Sequence, residues 1–169
     1  MVDLSACSPH LPTSLRWHWA SEQDTEACAQ QLAACAALGQ ALVSLRGDLG
    51  AGKTTWVRYL LRALGVSGVI KSPTYGLLEP YEVATAHGAF SVAHLDLYRL
   101  HTPQDLTDAG LDEVLAGPGL RLVEWLQQAG ALAPTPDLEL AISLTEEGTR
   151  EVVVTSHTAL GGALQQPWR

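Results

Sequence analysis

Asparagine is absent from this 169-residue chain, and lysine occurs only as Lys53 and Lys71. Without asparagine there is no Asn-Lys-x-Asp segment, the element through which most guanine-specific nucleotide-binding proteins read their base. The shortage of cations leaves a net charge of -8. The chain by itself therefore lacks the electropositive surface that dominates affinity for a phosphate backbone, and any nucleic acid involved is expected to be held by another protein. No apolar run approaches the roughly 18 residues that span a bilayer. The start, with Asp3, Ser8, Pro9 and Pro12, has neither the basic nor the apolar region of a secretory signal, so a soluble cytoplasmic protein is expected. Cysteine is limited to Cys7, Cys28 and Cys35, without metal-ligand spacing, which suits a reducing compartment. Cys28 and Cys35 fall on one expected helix, too far apart along its axis to bridge. All three read as small buried apolar residues.

What is present is globular: 47% of residues are hydrophobic and 17% charged. That supports one packed domain over 1–169, with loose tails at 1–13 and 161–169. Leu15 to Trp19 alternates like a strand. Ser21 reads as an N-cap, opening a helix through Ala36 that Gly39 ends. Ala41 to Leu45 is a buried strand. Val57, Leu60, Leu61 and Leu64 recur at helical spacing up to a stop at Gly65. Further runs at Leu77 to Val83, Phe90 to Leu95, Leu120 to Val123, Leu138 to Leu144 and Val152 to Thr155 predict strands, with the first and last pairs as hairpins. The last pair is expected to turn at Glu147-Gly148-Thr149. Thr102-Pro103 caps a short helix, and another covers Leu111 to Leu115.

The segment Gly47-Asp48-Leu49-Gly50-Ala51-Gly52-Lys53-Thr54 matches the phosphate-binding loop: glycine, four residues, then Gly-Lys-Ser/Thr. Its glycines let the backbone bend so that N–H groups face a phosphate, and the following helix presents its positive end. Lys53 is expected to reach the β- and γ-phosphates, and the Thr54 hydroxyl to ligate magnesium. Strand, loop and helix follow in the order that the motif requires. Lys71 is also expected beside the phosphates.

Magnesium takes one or two carboxylates, and two candidates end apolar strands: Asp96 and Glu124. Glu124 is alternatively a group that orients attacking water, and the sequence does not divide these roles. His94 and His101 read as structural, and no zinc is assigned. With the usual guanine-reading segment missing, adenine is favoured, and ATP with Mg2+ is the expected ligand.

Four blocks together resemble the TsaE family, an ATPase family that takes part in making the threonylcarbamoyladenosine modification of transfer RNA. They are Gly47 to Thr55, Lys71-Ser72-Pro73-Thr74-Tyr75, His94-Leu95-Asp96-Leu97-Tyr98-Arg99-Leu100 and Val123-Glu124-Trp125, and the resemblance runs from about Ser21 to Ser156. It implies a P-loop α/β fold, a sheet of parallel and antiparallel strands flanked by helices. It also implies slow ATP hydrolysis coupled to TsaB and TsaD proteins, with tRNA touched only indirectly. Asp96 and Glu124 match the family's magnesium-site acids, and Ser72 to Tyr75 a switch-like loop. Pro73 fixes its own φ and restricts Ser72, which holds the Thr74 hydroxyl where it can sense a γ-phosphate. Glu22 and Thr25 match the stretch near the base, although a helix-start role explains them equally. Trp125 is read as stacking on a base or partner, or as core. Arg99 and Arg150 are candidates for phosphate or partner contact. Leu126, where the family often has proline, and the stretch Leu106 to Leu115, which keeps little beyond Gly110, depart from the pattern.

Two rival functions remain open. A small-molecule kinase usually carries an arginine-rich lid, and no arginine or lysine lies between Arg99 and Arg121. A non-catalytic module would use ATP only to order Ser72 to Tyr75 for a partner.

Overall fold

The computed structural model describes residues 11–169. Residues 1–10, with Cys7 and most of the expected N-terminal tail, lie outside the described residues. A seven-stranded mixed sheet runs β1-β7-β6-β2-β5-β4-β3. The strands are β1 (Thr13–Trp19), β2 (Leu42–Arg46), β3 (Leu78–Thr85), β4 (Gly88–Asp96), β5 (Leu120–Glu124), β6 (Leu138–Leu144) and β7 (Arg150–Ser156). β2 pairs in parallel with β5 and β6, and β5 in parallel with β4. The outer pairs β1/β7, β6/β7 and β3/β4 are antiparallel. Both expected hairpins form, and Thr145 and Thr149 close the second through Thr145 N–H to Thr149 O at 2.9 Å. Pro80, which has no N–H to give, is accommodated because β3 is an edge strand.

Helices α1 (Glu22–Ala33), α2 (Lys53–Ala63), α3 (Pro103–Asp108), α4 (Leu111–Ala116) and α5 (Ala159–Leu164) flank this sheet. Alternation along the strands builds two cores. Val43, Leu45 and Leu122 pack into a cluster with Leu32, Trp56 and Leu60 of α1 and α2. Leu42, Leu95 and Val123 join Leu106, Leu111 and Leu115 in another. Helix α2 stops where expected: Gly65 takes φ +92, with its N–H on Arg62 O and that of Val66 on Leu61 O. These two bonds satisfy carbonyls that the last helical turn leaves open.

Two expectations at element ends are corrected. Helix α1 stops at Ala33, short of Gly39, and a 3-10 turn covers Ala36–Gln40. Gly39 is no C-cap; a Cβ there would lie 2.7 Å from Cδ1 of Phe90, so its missing side chain makes room for an aromatic ring. Cys35 consequently lies beyond the helix that holds Cys28. The C-terminal residues are not a loose tail. Thr158 caps α5 by accepting the Gly161 N–H at 3.1 Å, and Gly161 packs so tightly on the Asp137 carbonyl that no Cβ fits. Gln165, fully buried, donates to the Thr13 and Val154 carbonyls at 3.0 and 2.8 Å. Trp168 is 7% exposed and meets Trp17 edge to face at 5.9 Å. The glycine that opens this segment serves close approach.

Candidate functional site

The phosphate loop links the carboxyl end of β2 to the first turn of α2. Three glycines bend it: Gly47 at φ +142, Gly50 at +80 and Gly52 at +112, values that side-chain-bearing residues rarely adopt. Of the amides of residues 48–52, only that of Ala51 finds a protein acceptor among the described residues, the Asp48 carbonyl at 3.1 Å. The loop is therefore curled and not extended, and most of its N–H groups are available to an anion. Lys53, 4% exposed, reaches back across it and donates from Nζ to Gly47 O at 2.7 Å and Asp48 O at 2.9 Å. An ammonium has three donors, so one remains for a third acceptor. Burial holds the Lys53 pKa below its ordinary value, opposed by the charges of Glu124, Asp96 and Asp48. The Trp125 ring lies 4.5 Å from Nζ.

The two acids stand side by side. Asp96 ends β4, Glu124 ends β5, and they are register partners across that parallel pair. Glu124 also pairs with Leu45, beside the phosphate loop, whereas Asp96 lies one strand further away than a neighbour of β2 would. Each acid takes a different hydroxyl. Thr54 Oγ1 donates to the Glu124 carboxylate, 2.7 Å from Oε1 and 3.0 Å from Oε2. Thr74 Oγ1 donates to Asp96 Oδ2 at 2.8 Å. Because a threonine has one hydroxyl hydrogen, Ser72, 2.8 Å from Thr74 Oγ1, must be the donor in that pair. The chain Ser72, Thr74, Asp96 thus ties the Ser72 to Tyr75 loop to the strand end. With their hydrogens directed at carboxylates, the lone pairs of Thr54 Oγ1 and the one Thr74 lone pair that Ser72 does not take are left for a cation or its waters. An all-oxygen donor set of two carboxylates and a hydroxyl suits a hard divalent ion such as magnesium.

An open cleft of about 200 Å³ is lined by Leu49, Gly50, Gly52, Lys53, Thr54, Thr55, Thr74, Asp96, Tyr98, Glu124, Trp125 and Arg150. A second cavity continues from it past Gly52, Thr55 and Arg150 to Glu22 and Thr25, so the start of α1 does face the loop. The Glu22 carboxylate is held there by Tyr59 Oη at 2.8 Å. Ser21 N–H and Oγ both donate to Asp24, so the helix-start role of this stretch is also real. Asp48 and Ala51 belong to the loop backbone on its other side, facing Ile142 to Leu144. Arg150 donates from Nε to Ala51 O at 2.9 Å, bracing the loop crest. Trp125 is neither core nor free: it is partly buried, sits at φ +62 and meets Tyr98 at 5.1 Å. Two residues fall outside the cleft. Arg99 lies over the Tyr75 ring, 4.5 Å from its centroid, and Lys71 is exposed and lines neither cavity.

His94, expected to be a structural histidine, has its Nε2 2.9 Å from Glu124 Oε1, and neither side chain is more than 3% exposed. Strand alternation was the available signal, since His94 and Asp96 share a face. Tyr98 was also passed over; its N–H donates to Asp96 Oδ1 at 3.0 Å.

Comparison with known proteins agrees with this geometry. The family model "Threonylcarbamoyl adenosine biosynthesis protein TsaE" matches residues 19–152. The tRNA threonylcarbamoyladenosine biosynthesis protein TsaE of Bacillus subtilis is 34% identical over 142 residues, 84% of this chain and 85% of that protein. Its counterpart from Rickettsia bellii is 37% identical over 137 residues, 80% of this chain and 91% of the relative. That of Haemophilus influenzae is 36% identical over 120 residues, 71% and 73% of the two chains. The crystal structure of Bacillus subtilis YdiB superposes with a TM-score of 0.72 at 27% identity, covering 93% of this chain and 95% of that one. A curled phosphate loop, two adjacent strand-end acids and these matches along most of its length lead to one conclusion: the chain belongs to the TsaE family of tRNA threonylcarbamoyladenosine biosynthesis proteins.

Proposed function

We propose that this chain is a magnesium-dependent ATPase that serves as an accessory subunit in threonylcarbamoyladenosine modification of tRNA, its hydrolysis coupled to TsaB- and TsaD-like partners. The observation that carries the reading is the bond from Thr54, first turn of α2, to Glu124 at the end of β5. It joins the phosphate loop to a strand-end acid that is 2% exposed. In this reading the loop amides and the third donor of Lys53 hold the β- and γ-phosphates. Thr54, Asp96 and Glu124 would hold magnesium, which supplies neutralisation of the phosphate charge. Thr74, through Asp96, senses whether a γ-phosphate is present, and Trp125 closes one wall. The cavity between Arg150, Glu22 and Thr25 receives the nucleoside, with adenine favoured by the missing Asn-Lys-x-Asp segment.

The test is a pull-down of TsaB and TsaD by this chain, scored with MgATP against MgADP. Retention that depends on the triphosphate supports a nucleotide-gated subunit. Equal retention in both, together with no phosphate release when all three proteins are mixed, overturns it. Rapid phosphorylation of a nucleoside or sugar would instead establish the kinase reading.

A further inference from the structure

Glu124 is 2% exposed, and among the described residues its carboxylate receives two side-chain donors, Thr54 and His94. His94 is fully buried in mid-sheet, two residues before Asp96 on β4. Its other ring nitrogen, Nδ1, is buried with no partner among the described residues. Those two facts fix the tautomer. A hydrogen on Nδ1 would be buried without an acceptor and would turn the Nε2 lone pair toward a carboxylate, so the hydrogen must sit on Nε2 and be donated to Oε1. Packing alone does not explain this residue. A leucine would fill similar space without the cost of an unsatisfied buried nitrogen.

We infer that His94 is a positioning residue: its Nε2–H holds Glu124 Oε1 from behind, so that Oε2 turns toward the phosphate-loop cleft. The distances support the asymmetry. Oε1 lies 2.9 Å from His94 and 2.7 Å from Thr54, while Oε2 has Thr54 alone, at 3.0 Å. Oε1 is thus saturated within the protein, and Oε2 keeps accepting capacity for a water or cation in the cleft. A carboxylate on a two-carbon stem has free torsions, and fixing it before the ligand arrives removes an ordering cost from the reaction. This deepens the function proposed above and rests on it for the use made of Oε2, not for the orientation itself.

The experiment compares wild type with His94→Gln, whose amide N–H reaches the place of Nε2, and His94→Leu, which fills space without a donor. In the wild-type ring a long-range proton–nitrogen spectrum is expected to place the hydrogen on Nε2; a hydrogen on Nδ1 overturns the inference. With Thr54 and Glu124 untouched, His94→Leu is expected to lower kcat about tenfold while saturating MgATP affinity stays within about threefold, and His94→Gln to recover most of the loss. Folded Gln and Leu variants that lose kcat alike, or a Leu variant within about twofold of wild type, overturn it. If the Leu variant does not fold, the Gln variant and the ring spectrum decide. The two proposals fail separately. A wild-type chain that releases no phosphate with its partners sinks the ATPase reading alone. The orientation of Glu124 is then judged by the ring spectrum and by the Mg2+ concentration that half-saturates ATP binding, expected to rise about fivefold for Leu but not Gln.

Discussion

At the scale of single residues, the site is a set of buried polar groups each held by a neighbour. Lys53 carries the strongest consequence. Its Nζ is fixed inside the loop by two carbonyls, which leaves one donor of the ammonium for the triphosphate tail proposed above. Lys53→Ala removes a charged donor, and MgATP affinity measured by calorimetry is expected to fall about a hundredfold or more. Affinity within a few fold of wild type would refute that role. Cys28 illustrates the opposite use of burial. Desolvation pushes its thiol up to about 12, and it is 1% exposed, so at neutral pH it stays a thiol out of reach. A thiol reagent is expected to label Cys35 in the native protein and Cys28 only after unfolding. Labelling of Cys28 at the rate of Cys35 would show a looser α1 than the one described.

At the scale of elements, helix ends and the C-terminal clasp decide stability. Backbone N–H groups of Ser21 and of His101 and Thr102 hold the carboxylates of Asp24 and Asp105 below their ordinary value of 3.8. A carboxylate whose native pKa is depressed contributes stability above its unfolded value and loses it as pH falls through the native one. Acid unfolding is therefore expected to steepen below 3.8, and Asp24→Asn with Asp105→Asn to flatten that slope. Unchanged acid profiles would count against both caps. The clasp is the larger effect. Trp168→Ala opens a gap beside Trp17 and is expected to cost about 3 kcal/mol in urea unfolding, as large-to-small changes of buried aromatics do. A cost near zero would return the last residues to the loose tail that their terminal position suggested.

At the scale of the whole molecule, the two arginines singled out for phosphate or partner contact are each already engaged within the fold. Arg150 gives its Nε–H to the Ala51 carbonyl and Arg99 lies over the Tyr75 ring, so each guanidinium already has a partner away from the phosphate loop's amides. The isolated chain is expected to hydrolyse ATP slowly, and TsaB with TsaD to raise phosphate release at least about tenfold. Equal rates with and without those partners would break the proposed coupling. Leu49 on the phosphate loop and Tyr75 next to Thr74 are 66% and 86% exposed, which puts apolar surface beside the cleft for the partners proposed above. Among the described residues no helix is long and apolar enough to cross a membrane.

The sequence by itself determined the phosphate loop, the strand and helix around it, both hairpins and the two acids, because each is a local pattern: glycine spacing, alternation, or an acid ending an apolar run. It also carried enough of four separate blocks to identify the family. Tertiary structure alone decided that Asp96 and Glu124 are register partners, that His94 backs one of them, and that Arg150 braces the loop from a strand about a hundred residues away in the chain. Strand order is set by which apolar faces bury best together, and no local pattern along the chain records that choice. The same reason hid Gly39 and Gly161, whose missing side chains matter only because Phe90 and the Asp137 carbonyl arrive there from distant elements.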